Sequence, residues 1–354
     1  MQTRVLSAAS LDPEQLQRWS EIQRSSRSLA SPFFRPEYAS LVAAAGEDVH
    51  VALLESSAGP VGFFPFQLGH FGVGRPAGSL VTDYHGVIAG EGVDVKPLAL
   101  LRACGMKSWS FHHVPAAQQA FAPFSRSSCQ SAVMDLSEGF EGYVRGRREN
   151  GSHAIQSLGQ KAHKLEREHG PISYVHHSTD PDVLALMMRW KQHQYHQTGA
   201  LDPLARGWVR RVLELVHQAQ GESFAGVLSM LCTEDRPVAV HLGLRSETVM
   251  HSWFPAYDHE FARYSPGQLL FLGLAEHAPE SGIRAIDLGP AEGQHKRTMT
   301  SAGAPLLEGT VEVPSLTSGV LRASRAAREA LKRTPLGPSL QTARRRLEAL
   351  GTLR

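Results

Sequence analysis

The stretch from residue 251 to residue 296 restricts the possible folds more than any other. It reads HSWFPAYDHEFARYSPGQLLFLGLAEHAPESGIRAIDLGPAEGQHK. Residues 251–256 alternate aromatic with small side chains, as a half-buried strand does. Ser265, Pro266, Gly267 and Gln268 then make a helix start. Serine is a favoured cap, proline fits the first helical position, and glutamine three residues after serine completes a capping box. Leu269, Leu270, Leu272, Leu274 and Ala275 make the helix behind it apolar enough to be buried against a sheet. Residues 285–289, Ala-Ile-Asp-Leu-Gly, form a short apolar strand ending in a carboxylate and a glycine.

A helix start beside a loop presents unpaired amides and the positive end of the helix dipole, which suits a pyrophosphate. Pro266 has no N–H to offer, but Gly267 and Gln268 do, and a glycine lets a ligand come close to the backbone. The same four residues also serve merely to cap a buried helix. Motif shape alone leaves both readings open.

The chain has 354 residues, long for one domain and suited to two. Its 42% hydrophobic and 20% charged residues are those of a globular protein. A formal net charge of +2 gives no general polyanion signal, so no DNA partner is expected. Cys104, Cys129 and Cys232 lie far apart without a Cys-x-x-Cys pair and read as buried free thiols of a reducing compartment. No apolar h-region opens the sequence and no apolar run reaches membrane-span length, so cytoplasm is the expectation.

Along the chain, helices are expected at about 12–26, 36–45 and 96–104, a hairpin at 49–67, and a strand at 109–114. Residues 145–167 form a basic helical stretch, either a solvated face or a contact for phosphates. A strand at 172–175, helices at about 180–197 and 206–218, and strands at 224–232, 237–245 and 248–256 follow. A two-residue turn at Ser246-Glu247 pairs His251 with Leu242 and puts His241 on the other face, whereas a three-residue turn sets the two histidines opposite one another. His193 and His196 lie three apart on a helix, but no further ligand pattern accompanies them and no metal is expected. Past residue 316 the chain turns basic: nine Lys/Arg against Glu329 and Glu348 give the tail +7 and leave about −5 for the rest. Its apolar residues fall on one helical face on either side of Pro335-Leu336-Gly337-Pro338.

Several segments in fixed order carry a resemblance. They are residues 224–229 (Phe-Ala-Gly-Val-Leu-Ser), 239–244 (Ala-Val-His-Leu-Gly-Leu), 251–257 (His-Ser-Trp-Phe-Pro-Ala-Tyr), 264–267 (Tyr-Ser-Pro-Gly) and 286–289 (Ile-Asp-Leu-Gly), followed by Lys296. With Trp190-Lys191-Gln192 and Thr82-Asp83-Tyr84-His85-Gly86 upstream, the set resembles the CelD-type branch of the GNAT acetyltransferase superfamily. That branch is associated with bacterial cellulose and exopolysaccharide biosynthesis and is similar to FemAB-like transferases, which carry two GNAT-like halves. The chain departs from the usual pattern twice: the Gln/Arg-x-x-Gly-x-Gly/Ala acyl-CoA signature is reduced to Arg263-x-x-x-Gly267, and His295 precedes Lys296 where a tyrosine is common.

The resemblance implies an α+β fold of two GNAT-like halves, each a mostly antiparallel mixed sheet flanked by helices. A degenerate half at 1–145 shapes the substrate cleft, a transferase half spans 146–312, and a basic helical tail covers 313–354. It implies acetyl-CoA or another acyl-CoA as donor, and a small-molecule amine, an amino sugar or related precursor, as acceptor. Acyl transfer then needs the pyrophosphate held, the amine deprotonated, the oxyanion stabilised and the thiolate protonated. The implied assignments are Ser265, Gly267 and Gln268 with Trp253 and Phe254 for the donor; Asp287 for the amine's proton; Tyr257 as general acid; and His251 at the catalytic end. Asp83, Tyr84, Lys191, Tyr195 and Lys296 are left to bind substrate. An aminoacyl-tRNA donor and a non-catalytic scaffold are the competing readings. The tail is expected either to pack on the acidic body or to touch a membrane surface or a polysaccharide synthase weakly.

Overall fold

The computed structural model describes residues 1–314 except 235 and 291–293; the basic tail expected at 313–354 lies almost entirely outside the described residues. In chain order the first part comprises β1 (Gln2–Ser7), α1 (Pro13–Arg24), α2 (Pro36–Ala44), β2 (His50–Ser56), β3 (Gly59–Leu68), β4 (Val73–Pro76), β5 (Ile88–Ala89), α3 (Pro97–Ala103), β6 (Ser108–Pro115) and β7 (Ser125–Asp135). The second comprises α4 (Gly139–Glu149), α5 (Ala154–His169), β8 (Ile172–Val175), α6 (Pro181–Thr198), α7 (Gly207–Gln218), β9 (Ala225–Thr233), β10 (Arg236–Arg245), β11 (Val249–Tyr257), α8 (Pro266–His277), β12 (Ala285–Pro290), α9 (Gln294–Met299) and β13 (Ala302–Glu312). Short 3₁₀ turns join several of them.

The described strands form one mixed sheet in the order β1-β2-β3-β4-β6-β13-β7-β12-β11-β10-β9-β8, with β5 on β3. Most neighbours are antiparallel; β4–β6 and β11–β12 are parallel. The fold is thus the mixed α+β architecture that the resemblance implies. On one face, Trp19, Phe33 and Val51 share a core with Val212, Leu213, Val240 and Trp253, so both parts of the chain are packed into one apolar cluster. On the other, α8 lays Leu269, Leu270 and Leu274 against β9 and β10, with Leu158 and Leu165 of α5 beside them. A separate cluster holds α3 on the first part, around Trp109 and Phe111.

Several expected elements change on folding. The basic stretch at 145–167 is two helices, because Asn150-Gly151 breaks it and Gly151 takes a positive φ of 73°. β7 was not legible: its half Ser-Arg-Ser-Ser-Cys-Gln is polar, yet it pairs with β13 along its length. Cys129 on that strand is exposed rather than buried, while Cys104 and Cys232 are buried; none of the three is in a disulfide. The β10–β11 hairpin takes neither expected register. Arg245 pairs with Met250 and Leu244 with His251, so the turn lies one residue later than Ser246-Glu247, and a bulge between Leu242 and Gly243 then sets His241 opposite Pro255. The extra residue of that bulge is Trp253, between Ser252 and Phe254.

Candidate active site

The site begins where two strands part. β11 and β12 pair in parallel only at Val249–Ala285, Met250–Ile286 and His251–Asp287. Beyond that point the bulge at Trp253 turns β11 aside, and a cleft of about 570 Å³ opens between the strands. Ser252, Trp253, Pro255 and Tyr257 line one side, Leu288 and Lys296 the other, and Ser265, Pro266, Gly267, Gln268 and Phe271 of the α8 region close it. Asp83 enters from the first part and Lys191 and Gln194 from α6.

The loop that delivers Asp83 is held residue by residue. Thr82 Oγ1 donates to the Ala77 carbonyl at 2.6 Å and shares a 2.7 Å hydrogen bond with the Tyr38 hydroxyl. His85 Nε2 accepts the amides of His112 and His113 at 2.9 and 3.2 Å. Burial, reinforced by the neighbouring His113 and His112, pushes the His85 imidazole well below its ordinary pKa, consistent with that acceptor role. Gly86 has φ 145°, and a Cβ there would lie 2.6 Å from Gln118 Oε1.

Asp83, His251 and Asp287 form a line across the join of the two parts. Asp83 Oδ2 is 2.8 Å from His251 Nε2, and His251 Nδ1 is 3.8 Å from Asp287 Oδ1. His251 is fully buried, with Phe33 edge-on at 4.9 Å. The two carboxylates differ. Asp287 is 5% exposed and accepts from Tyr84 Oη at 2.5 Å, Ser131 Oγ at 2.5 Å and the Gly289 amide at 2.8 Å. Asp83 keeps 35% of its side chain exposed and lines the cleft. Burial raises the Asp83 carboxyl, but the hydrogen bond and charge of His251, with His113 and Lys296, outweigh it and hold it below the ordinary value. Gly289, at φ 83°, leaves this corner open: a Cβ there would lie 3.4 Å from Asp83 Oδ2, 3.5 Å from Lys296 Nζ and 3.7 Å from His251 Nε2.

The helix start differs from its expected form. Ser265 adopts a left-handed conformation (φ 56°, ψ 51°) and its hydroxyl makes no cap. Instead Ser265 Oγ accepts from Lys161 Nζ at 2.8 Å, a residue of the basic stretch now on α5. The capping box is not formed: the Gln268 amide donates to the Ser265 carbonyl at 2.9 Å and its side chain reaches Thr298 Oγ1. Leu269 also donates to the Ser265 carbonyl and Pro266 has no N–H, which leaves the first-turn amide of Gly267, a residue that lines the cleft. A Cβ at Gly267 would meet no atom within 4 Å.

The remaining expected residues divide. Tyr257, Lys191 and Lys296 line the cleft. Tyr84 and His251 lie behind it, bonded to the two aspartates. Tyr195 lies beneath Lys191, whose Nζ is 5.3 Å from the ring centroid. The Trp253 indole is turned into the core, where its N–H donates to the Val81 carbonyl at 2.7 Å, and the Phe254 ring is buried in the same core. These two residues shape the cleft through their backbone bulge. Ser131, Lys161 and Gln194 were not foreseen as site residues. Lys161 had a signal in its place in the basic run, and Gln194 in lying within one helical turn of Lys191 and Tyr195; Ser131 had none.

Residues 152–297 match the family model described as acetyltransferase (GNAT) domain. The chain carries a GNAT acetyltransferase domain. It is accordingly an acyltransferase, and the parted strands, the α8 start and Lys296 all fall within or border the matched GNAT segment. GNAT domains generally draw their acyl group from acyl-CoA. No curated protein matches in sequence. Among solved structures the chain is similar to FemX (9% identity, TM-score 0.59, 91% of this chain and 99% of that one). It is also similar to the C-terminal domain of a putative lysylphosphatidylglycerol synthetase from Agrobacterium fabrum (12% identity, TM-score 0.53, 88% and 96%). A conserved protein of unknown function from Bacteroides thetaiotaomicron aligns at 12% identity and TM-score 0.51, over 83% and 96%. At these identities the likeness is one of fold.

Proposed function

We propose that the protein transfers an acyl group from acyl-CoA to an amine held beside Asp83. The observation that carries this reading is the cleft between β11 and β12, lined both by Gly267 at the start of α8 and by the partly exposed carboxylate of Asp83. The donor's pyrophosphate is received by Gly267 N–H and the Lys161 ammonium at the positive end of α8. Its pantetheine arm follows the unpaired edge of β11. The amine attacks the thioester carbonyl, loses a proton to Asp83, and the thiolate leaves and is protonated by Tyr257, a phenol that lines the cleft. His251 fixes the Asp83 carboxylate, and Asp287, saturated by three donors, anchors the line instead of acting as base.

Acetyl-CoA as the donor and an amino sugar or related precursor of exopolysaccharide or cellulose synthesis as the acceptor are the finer form of this proposal, resting on the CelD-type resemblance. In it residues 1–145 contribute Asp83, residues 146–312 hold the donor, and the basic tail touches an anionic membrane face or a polysaccharide synthase. Among the described residues no helix is long and apolar enough to cross a membrane. Calorimetry with acetyl-CoA, and loss of thioester absorbance against a panel of amines, test the reading. No binding together with no transfer would sink it. An aminoacyl-tRNA donor is the second reading, favoured by the missing acyl-CoA signature; activity that survives ribonuclease excludes it.

A further inference from the structure

Two lysines open onto the cleft, Lys191 from α6 against β11 and Lys296 from α9 against β12. Lys191 Nζ donates to the Pro255 carbonyl of β11 at 3.1 Å and to Gln194 Oε1 at 3.1 Å. Lys296 Nζ lies 3.5 Å from the Gly289 carbonyl of β12. Both side chains are half-buried. Among the described residues, neither ammonium has a carboxylate within 4.0 Å. Lys191 therefore keeps a charge in a partly desolvated place on neutral acceptors and a tyrosine ring alone, which is unfavourable until a counter-charge arrives. Burial, then the charge of Lys296, pushes Lys191 down to about 8. In the proposed donor site Gly267 and Lys161, which holds Ser265 Oγ at 2.8 Å, receive the phosphates and leave this pair unused.

We infer that the acceptor amine carries an anionic group, a carboxylate or a phosphate, received between Lys191 and Lys296 while the amine faces Asp83. The inference rests on the acyltransferase reading and names the substrate class for it. Lys296 also lies against the corner that Asp83 and Gly289 share, so a group bound to it keeps a neighbouring amine within reach of the carboxylate. Gln194 and Tyr195, one turn further along α6, hold Lys191 in place from below.

The test follows acetyl transfer to two matched pairs: glycine against glycinamide, and glucosamine 6-phosphate against glucosamine. The anionic member of at least one pair is expected to show kcat/KM at least about tenfold higher, and the pair that discriminates identifies the anion. Lys191→Met and Lys191→Gln are expected to bring that ratio close to one. Equal kcat/KM within both pairs, or a preference that survives Lys191→Met, overturns the inference. If no amine is acylated, the acyltransferase reading has failed, and the site is judged by calorimetry with inorganic phosphate and acetate. Binding weakened about tenfold by Lys191→Met and spared by Lys161→Met supports it. No binding, or binding lost in Lys161→Met alone, overturns it.

Discussion

Asp83 and Asp287 flank one imidazole, yet they invite opposite experiments. Asp83 faces the cleft with a free edge, so Asp83→Asn is expected to lower kcat by about 10²-fold or more while acetyl-CoA affinity holds, read by steady-state kinetics and calorimetry. A loss of only a few-fold would pass the base to a water. Asp287 accepts three donors in a buried place. An asparagine there must turn its NH₂ toward at least one of them, so Asp287→Asn is expected to cost about 1–3 kcal/mol of stability in urea unfolding. Lys191 adds a pH signature. Its charge is present below about 8 and lost above it, so the preference for the anionic member of the discriminating pair should fall as the pH rises through 8. An ordinary lysine, at about 10.4, would leave that preference flat there. The sequence pointed to Asp287 because strand ends line clefts. What it did not carry was the direction of the side chain: Tyr84 and Ser131, distant in sequence, claim that carboxylate and leave the cleft to Asp83.

At the scale of elements, the strand–helix–strand order of residues 251–296 was legible because its apolar periods are strong and proline and glycine mark the helix start. The register of β10 on β11 was not, because the turn falls one residue later than Ser246-Glu247 and the bulge at Trp253 adds a residue, neither with a local signature. That same bulge is what parts β11 from β12. Nor was the left-handed Ser265 legible: non-glycine residues rarely adopt it, and here it is accompanied by the Lys161 contact, which belongs to a helix about a hundred residues earlier. Gly267→Val tests the helix start. Its new side chain enters open space, so folding should hold while it crowds the amide; acetyl-CoA affinity should drop at least about tenfold by calorimetry. Unchanged affinity in a folded variant would remove α8 from the donor site.

At the scale of the whole molecule, the matched segment 152–297 depends on strands that precede it. β12, which supplies Asp287 and Gly289, pairs with β7, and β13 lies between β6 and β7. Both neighbours of β13 thus come from residues before 146. The buried Arg35 reaches across to Ser223 at 3.0 Å, Tyr84 to Asp287, and the Trp253 indole to Val81. The shared apolar core makes this join resemble the inside of a single domain. Residues 146–314 alone would expose one edge of β12 and leave β13 without a partner, together with the face that packs on Phe33 and Trp19. That fragment is therefore expected to be insoluble or unfolded by near-ultraviolet circular dichroism. Co-expression with residues 1–145 should recover a soluble complex that binds acetyl-CoA and depends on Asp83 for turnover. A soluble, folded 146–314 that matches the full chain in donor affinity would show the donor site to be independent of the first part. If that fragment is inactive, its inactivity would then isolate what residues 1–145 contribute, which is the Asp83 carboxylate on the wall of the cleft.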